Sequence, residues 1–447
     1  MQMEISESFV SNISEMCNEP AWLKEFRLKS FDYFKSLPFE QSQLFIKYTN
    51  EEYLNDLESR KFDYRLILME ESDSGLNFEN CIVTTSEGIE NKVKFYDRAF
   101  VFSDIFSAIK SRPQIKELIL SAKIDDKIEA LNNSLFNSGV FIYVPFNTKI
   151  TIPLRSIFLI NKDKSAIFNK TIIFVDENSS VDFIEEVYSH NSKDCFYSEN
   201  LEIFVKGNSE ANITFLQNTD FETKNFVNRK IFSNGKVSLL SSNIGGNFTR
   251  YRIEGFLSQP GAAFENYDMF FGNSEQKLDT FSRSVHISPN TTSRVISRVI
   301  LKDKAEALIK GIIKILKEAK NAQAYLEEHS IMLNKECKAN SIPSLEIETF
   351  DVKATHSAST QQLDAEQMFY LMSRGLTEEE AKKMIAFGFL EPVLKCFLSN
   401  SFRRCVEAMI ENKWSGNEGK LMISDLSDYR GIEKESTDIF GGHYKYR

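Results

Sequence analysis

The chain has 447 residues, with 54 basic against 64 acidic side chains and a net charge of −10. That length accommodates two to four domains of roughly 100–200 residues, and the acidic balance disfavours nonspecific binding to a nucleic-acid backbone. No apolar run approaches the ~18 residues of a membrane span, and the opening residues MQMEISESFVSNISEM lack the basic start and apolar segment of a secretion signal, so the expected location is the cytoplasm. Six cysteines, at positions 17, 81, 195, 337, 396 and 405, form no C-x-x-C pair and no disulfide framework. Taken singly, such thiols read as small buried apolar groups.

From Ile5 to Ser59 the pattern is helical, with Trp22, Phe26 and Phe34 spaced among charges and Pro20 where a first helical turn tolerates it. Lys61 to Val101 reads as short strands and loops, and Asp104 to Asn137 returns to helix, ending in KIEALNNSLF. From Gly139 to about Val352 the character changes to short β-branched and aromatic runs with period-two stretches, such as KTIIFV, SVDFIEEV, ANITFLQ and RVISRVI. Turn residues at Asn147, Asn178, Asn208, Asn234, Pro260 and Asn290 stand 31, 30, 26, 26 and 30 positions apart. That spacing predicts stacked coils of a β-solenoid, with a β-sandwich as the alternative that periodicity leaves open. A solenoid buries its inward side chains only between neighbouring coils, so its ends need covers, a role for the flanking helices.

After Gln361 helix returns. Asp364 with Gln367 makes a capping-box pattern, Gly375 is placed to end that helix in the left-handed region, and Thr377 with Glu380 starts the next. Phe369, Leu371, Met372, Ala381, Met384, Ile385 and Phe389 exceed what one small core stripe needs, so part of this surface faces either the solenoid or a partner. The tail from Trp414 to Arg447 is polar and reads as loosely ordered. The resulting division is 1–137, mostly helical; 138–360, the β core; and 361–447, a C-terminal helical domain and tail.

Phosphate-loop, dinucleotide-binding, zincin and nucleophile-elbow motifs do not occur, so no enzyme signature is present. Among five histidines, His356 stands out between the strand LEIETFDVKA and the polar run SAST, where a chain leaving a β core exposes its side chains. A surface or hydrogen-bonded histidine is the plainer reading. Asp182, Glu185 and Glu186 on one strand leave open a solenoid enzyme acting on acidic polysaccharide, which needs clustered carboxylates.

The block NSIPSLEIETFDVKATHSASTQQLDAEQMFYLMSRGLTEEEAKKMIAFGFL closely resembles the C-terminal signature of the SufB/SufD family, scaffold subunits of SUF iron-sulfur cluster assembly. NEPAWLKEFRLKSF, ALNNSLFNSGVFIYVP and HSIMLNKECKANSIP resemble further family segments in the family's order. The resemblance implies a right-handed parallel β-helix flanked by helical domains. It also implies a non-enzymatic scaffold that pairs with a SufB/SufD-type chain or with itself and receives sulfur from donor proteins. The ATPase activity would come from SufC, docked on the C-terminal helices, with Gly375, Met384, Gly388, Phe389 and Leu390 as candidate contacts.

The same resemblance implies roles for Cys337 and His356 around a nascent iron-sulfur cluster, and it leaves a reduced flavin open as a cofactor. Thiolate and imidazole are suitable iron ligands, yet two groups are too few for a cluster, which places the expected site between two chains. Ser357 replaces a glutamate of SufB-like chains, and Ala354 replaces a cysteine common in SufD-like ones, so the chain resembles SufD with a SufB-like cysteine. A purely structural SufD-like adaptor remains the alternative.

Overall fold

Alternating side chains and turn asparagines produce two stacked sheets wound from one chain. The structure is a computed structural model describing residues 5–39, 49, 52–55, 57–64, 81–93, 100–189, 192–397 and 400–416. Four short strands come first: β1 (Lys61–Phe62), β2 (Cys81–Thr85), β3 (Gly88–Asn91) and β4 (Val101–Asp104). Then follow β5 (Val140–Val144), β6 (Leu154–Ile160), β7 (Ser165–Val175), β8 (Ser180–Ser189), β9 (Phe196–Val205), β10 (Glu210–Asn218), β11 (Lys224–Ser233) and β12 (Lys236–Asn243). The series ends with β13 (Phe248–Leu257), β14 (Ala263–Gly272), β15 (Lys277–His286), β16 (Thr292–Leu301), β17 (Glu306–Ile315), β18 (Ala322–Met332), β19 (Lys338–Ile347) and β20 (Val352–Gln362).

From β5 onward, odd strands form one sheet and even strands the other, each pairing in parallel with the strand two along. This is a parallel β-helix with two strands per coil. The left-handed backbone of Asn147, Asn178, Asn208 and Asn290 turns the chain between strands, a conformation asparagine tolerates better than most residues. The 31- and 30-residue spacings of Asn147, Asn178 and Asn208 are therefore the pitch of the coils, whereas Asn234 and Pro260 of the same series do not take the left-handed backbone.

Period-two alternation divides each strand into an inward and an outward set. Toward one rim the interior is aliphatic, with Val175, Val181, Val205, Ala211 and Val237 stacked coil upon coil. Toward the other it is polar. Arg229 Nε donates to Glu199 Oε1 at 2.6 Å and Nη1 to Ser241 Oγ at 2.9 Å, while Tyr251 donates to Asp268 at 2.7 Å. Asn169 and Thr171 donate to the two oxygens of Glu185. Burial raises the pKa of Glu185 well above the carboxylate range and that of Asp268 to about 6. Paired and hydrogen-bonded, these groups offset much of the cost of leaving water.

The flanking helices lie chiefly along the lateral faces of the solenoid. N-terminal Phe9, Leu23, Phe26 and Ile105 share a core with the outward Phe168, Phe196, Phe226 and Phe248 of the odd sheet. Arg27, fully buried, bonds Glu19 and the carbonyls of Ser134 and Phe136. On the even sheet, helices Glu378–Leu394 and Asn400–Trp414 bury Leu390, Val393, Phe402 and Val406 against Leu216, Met269 and Ile300. Lys413 Nζ pins the last helix by donating to the carbonyls of Ile244 and Phe271 and to Gln276 Oε1.

The two ends differ. At the N-terminal end antiparallel β4 and β3 terminate the odd and even sheets. At the other end β19 and β20 are edge strands, most of their residues half-buried or exposed.

Two details differ from the sequence reading. Asp364 caps its helix through Glu366 N alone, because its short side chain is satisfied there, whereas Thr377 and Glu380 do form a full capping box. Of the tail from Trp414 to Arg447, read from sequence as loosely ordered, Trp414 ends the last helix and packs against Phe271, while residues 417–447 lie outside the described residues.

Candidate functional site

The C-terminal coil is where exposed chemistry meets the solenoid interior. His356 does not mark the chain's exit from the β core: it is the fifth residue of β20, which continues through SAST to Gln362 in parallel register with β18. The run looked like a loop because the last coil has no coil above it, so polar side chains are tolerated on both of its faces. His356 pairs with Leu326, an inward-facing core residue, and is itself exposed. Its alternation therefore directs it toward the open mouth of the solenoid.

One coil below lies a group that the sequence reading missed. The pair Glu327–Glu328 in AYLEEHSIM must split across the strand, and Glu328 takes the inward side, fully buried. Ser341 Oγ of the last coil donates to its Oε2 at 2.7 Å, while Oε1 has no hydrogen-bond partner among the described residues. Burial pushes the Glu328 carboxyl up to about 7. Two adjacent acids inside a period-two strand were the available signal.

Cys337 is elsewhere. It precedes β19, is 6% exposed, packs in the interior cluster, and its Sγ donates to the Asp303 carbonyl at 3.3 Å. Burial raises its pKa above the ordinary thiol value. Because β20 starts where β19 ends, Cys337 and His356 stand about six residues apart along the strand direction, or ~20 Å. The coil does not bring this pair together. Of the other cysteines, burial lifts Cys17, Cys81, Cys195 and Cys396 to about 11. Among the described residues no three His, Cys, Asp or Glu side chains gather to hold a metal ion.

Of the acids read as a polysaccharide site, Glu185 is split from Asp182 and Glu186 by the same alternation. Glu185 lies inside with Asn169 and Thr171, whereas Glu186 faces outward and is bound by Arg155 and Tyr188.

On the C-terminal helices, Gly375 adopts φ +95° at a helix end. Met384 is 53% exposed and Gly388 has open space where a side chain would project. Phe389 is half-buried beneath the Arg298 guanidinium, and Leu390 is wholly buried against the even sheet. The preceding helix, Ala365–Ser373, buries none of its residues, and its Phe369 is 75% exposed. With Met332, Leu333, Met368 and Met372 it lines a groove of about 580 Å³.

A β-solenoid with this C-terminal helical arm corresponds to a known family model, "SUF system FeS cluster assembly, SufBD core domain", which matches residues 158–389. The chain belongs to the SufBD family. Similar relatives include the iron-sulfur cluster assembly SufBD family protein of Staphylococcus saprophyticus, 29% identical over 422 residues, covering 88% of this chain and 89% of the relative. The protein of the same description from Staphylococcus aureus strain MRSA252 is 29% identical over 417 residues, with the same coverage. This SufBD chain is thus similar to its relatives over nearly their whole length. No helix among its described residues is long and apolar enough to cross a membrane.

Proposed function

We propose that this SufBD chain is a scaffold subunit that pairs through its C-terminal coil with a SufB/SufD-type chain or a second copy. A nascent iron-sulfur cluster would be assembled at the shared seam, from sulfur brought by donor proteins. The observation that carries this reading is the open coil: two parallel edge strands without a neighbour, with His356 at their mouth. Exposed edges are templates for strand addition and are normally blocked.

His356 offers an imidazole nitrogen, and Glu328 offers a carboxylate oxygen once it loses its proton; both suit iron as cargo. Two groups leave further positions to the partner chain or to incoming sulfide. Cys337, buried and protonated, would join only after the coil rearranges. The C-terminal helices, with Phe369, Met384 and Phe389, would hold the SufC ATPase, whose closure on nucleotide would move that arm and supply the rearrangement.

Anaerobic loading with ferrous iron and sulfide tests the site. The paired complex should take up a chromophoric cluster that His356→Ala and Glu328→Gln diminish. Equal loading in parent, both variants and Cys337→Ser would instead identify a structural adaptor.

A further inference from the structure

Alternation along β18 sends Glu327 and His329 to the outside of the solenoid, and the parallel register sets Ser359 of β20 opposite His329. His329 Nδ1 is hydrogen-bonded to Ser359 Oγ, and Nε2 lies 3.2 Å from Glu327 Oε1. Glu327 also accepts from the Arg298 guanidinium and, at 2.5 Å, from the Tyr325 hydroxyl. Burial alone would raise its pKa, yet the bonds from Tyr325 and Arg298 hold the carboxyl below its usual range.

The proton positions follow. The negative charge of Glu327, 3.2 Å from Nε2, favours the tautomer with its hydrogen on Nε2, which leaves the Nδ1 lone pair facing Ser359 Oγ. Burial lowers the His329 pKa, which keeps the ring a neutral base at pH 7. Ser359 and His329 are thus hydrogen-bonded, and the Glu327 carboxylate stands 3.2 Å from the other ring nitrogen, so nucleophile, base and acid follow in the order that activates a serine on unrelated folds.

We propose that Ser359 is an activated nucleophile that accepts the acyl group of a carboxylic ester, with His329 as general base and Glu327 as its positioning residue. Ser359 Oγ attacks the acyl carbon; the Oγ–C bond forms, the ester C–O bond breaks, and the Oγ proton passes through Nδ1 to the departing alcohol. Water, deprotonated by the same nitrogen, then releases the acyl group as a carboxylic acid. β20 is an edge strand, so N–H groups on its free side are without a strand partner among the described residues and suit a developing oxyanion. The Phe389 ring, 5.6 Å from the Arg298 guanidinium, flanks the cluster with apolar surface. None of this rests on the scaffold reading.

The test is covalent labelling of the full chain, alone because pairing would cover that edge, with a fluorophosphonate probe and peptide mass mapping. Modification of Ser359 is expected, with Ser357 on the same face of the same strand left unmodified. His329→Gln should slow labelling roughly 10²-fold, and Glu327→Gln should displace the pH profile of labelling. The parent's labelling rate should follow one deprotonation below pH 7, a readout that survives even if a variant misfolds. An unlabelled Ser359, equal labelling of Ser357, or a rate indifferent to His329 and to pH would overturn the proposal and leave a hydrogen-bonded clasp that ties β20 to β18.

Discussion

Gly311 and Glu328 meet across the interior of the solenoid: a Cβ placed on Gly311 would come 2.3 Å from Glu328 Oε1 and 2.7 Å from a methyl of Leu326. The glycine thus makes the room in which the carboxyl sits. Gly311→Ala is expected to destabilise the chain by about 1–3 kcal/mol through overpacking, read as a lower urea midpoint. Adding Glu328→Ala should recover part of the loss, and strict additivity of the two changes would refute the contact.

Glu328 also makes stability pH-dependent. Its folded pKa, about 7, lies above the ordinary 4.5, so its contribution is fully present below about pH 4.5 and is lost as pH rises through 7. The full span amounts to about 3 kcal/mol. Denaturant unfolding of the parent and of Glu328→Gln between pH 4 and 8 should show the variant gaining on the parent as pH rises. Parallel stability curves would contradict the assignment. Iron bound through this carboxyl must displace a proton, so ferrous affinity should strengthen across the same window.

Lys413 holds the last helix to the solenoid by three acceptors, two of them backbone carbonyls. Lys413→Met would leave those acceptors buried and unpaired, a cost of ~3 kcal/mol. Hydrogen exchange should accelerate across 400–414 before the coils open; uniform acceleration throughout the chain would argue against a local anchor.

Phe369 and Met384 touch little of this chain, at 75% and 53% exposure. Phe369→Glu and Met384→Glu should alter stability by no more than ~0.5 kcal/mol while weakening co-purification with the SufC ATPase at least tenfold. Undiminished capture of the ATPase by both variants would move the docking surface elsewhere.

The coil architecture was legible because its cause is local. Left-handed turn residues recur along the stack, and Asn147, Asn178, Asn208 and Asn290 mark four such corners. Thr377 and Glu380 were legible for the same reason, since a capping box spans four residues. The arrangement of the terminal coil was not, because it depends on register between strands about thirty residues apart. Glu328 and Ser341 become neighbours only once β17, β18 and β19 are aligned. Where the helices pack also escaped the sequence, since an apolar stripe does not say whether it covers the end or the flank of a solenoid.

The unlike termini of the solenoid set how far self-association can proceed. One end finishes in antiparallel β3 and β4 and the other in parallel β19 and β20, so a copy stacked head to tail would not continue the parallel coil, the route to an open fibre. Two ends of the parallel kind, meeting, would consume each other. If the chain pairs through that end, growth stops at two, and a surface that would be an aggregation hazard on a symmetric rod becomes a self-limiting joint.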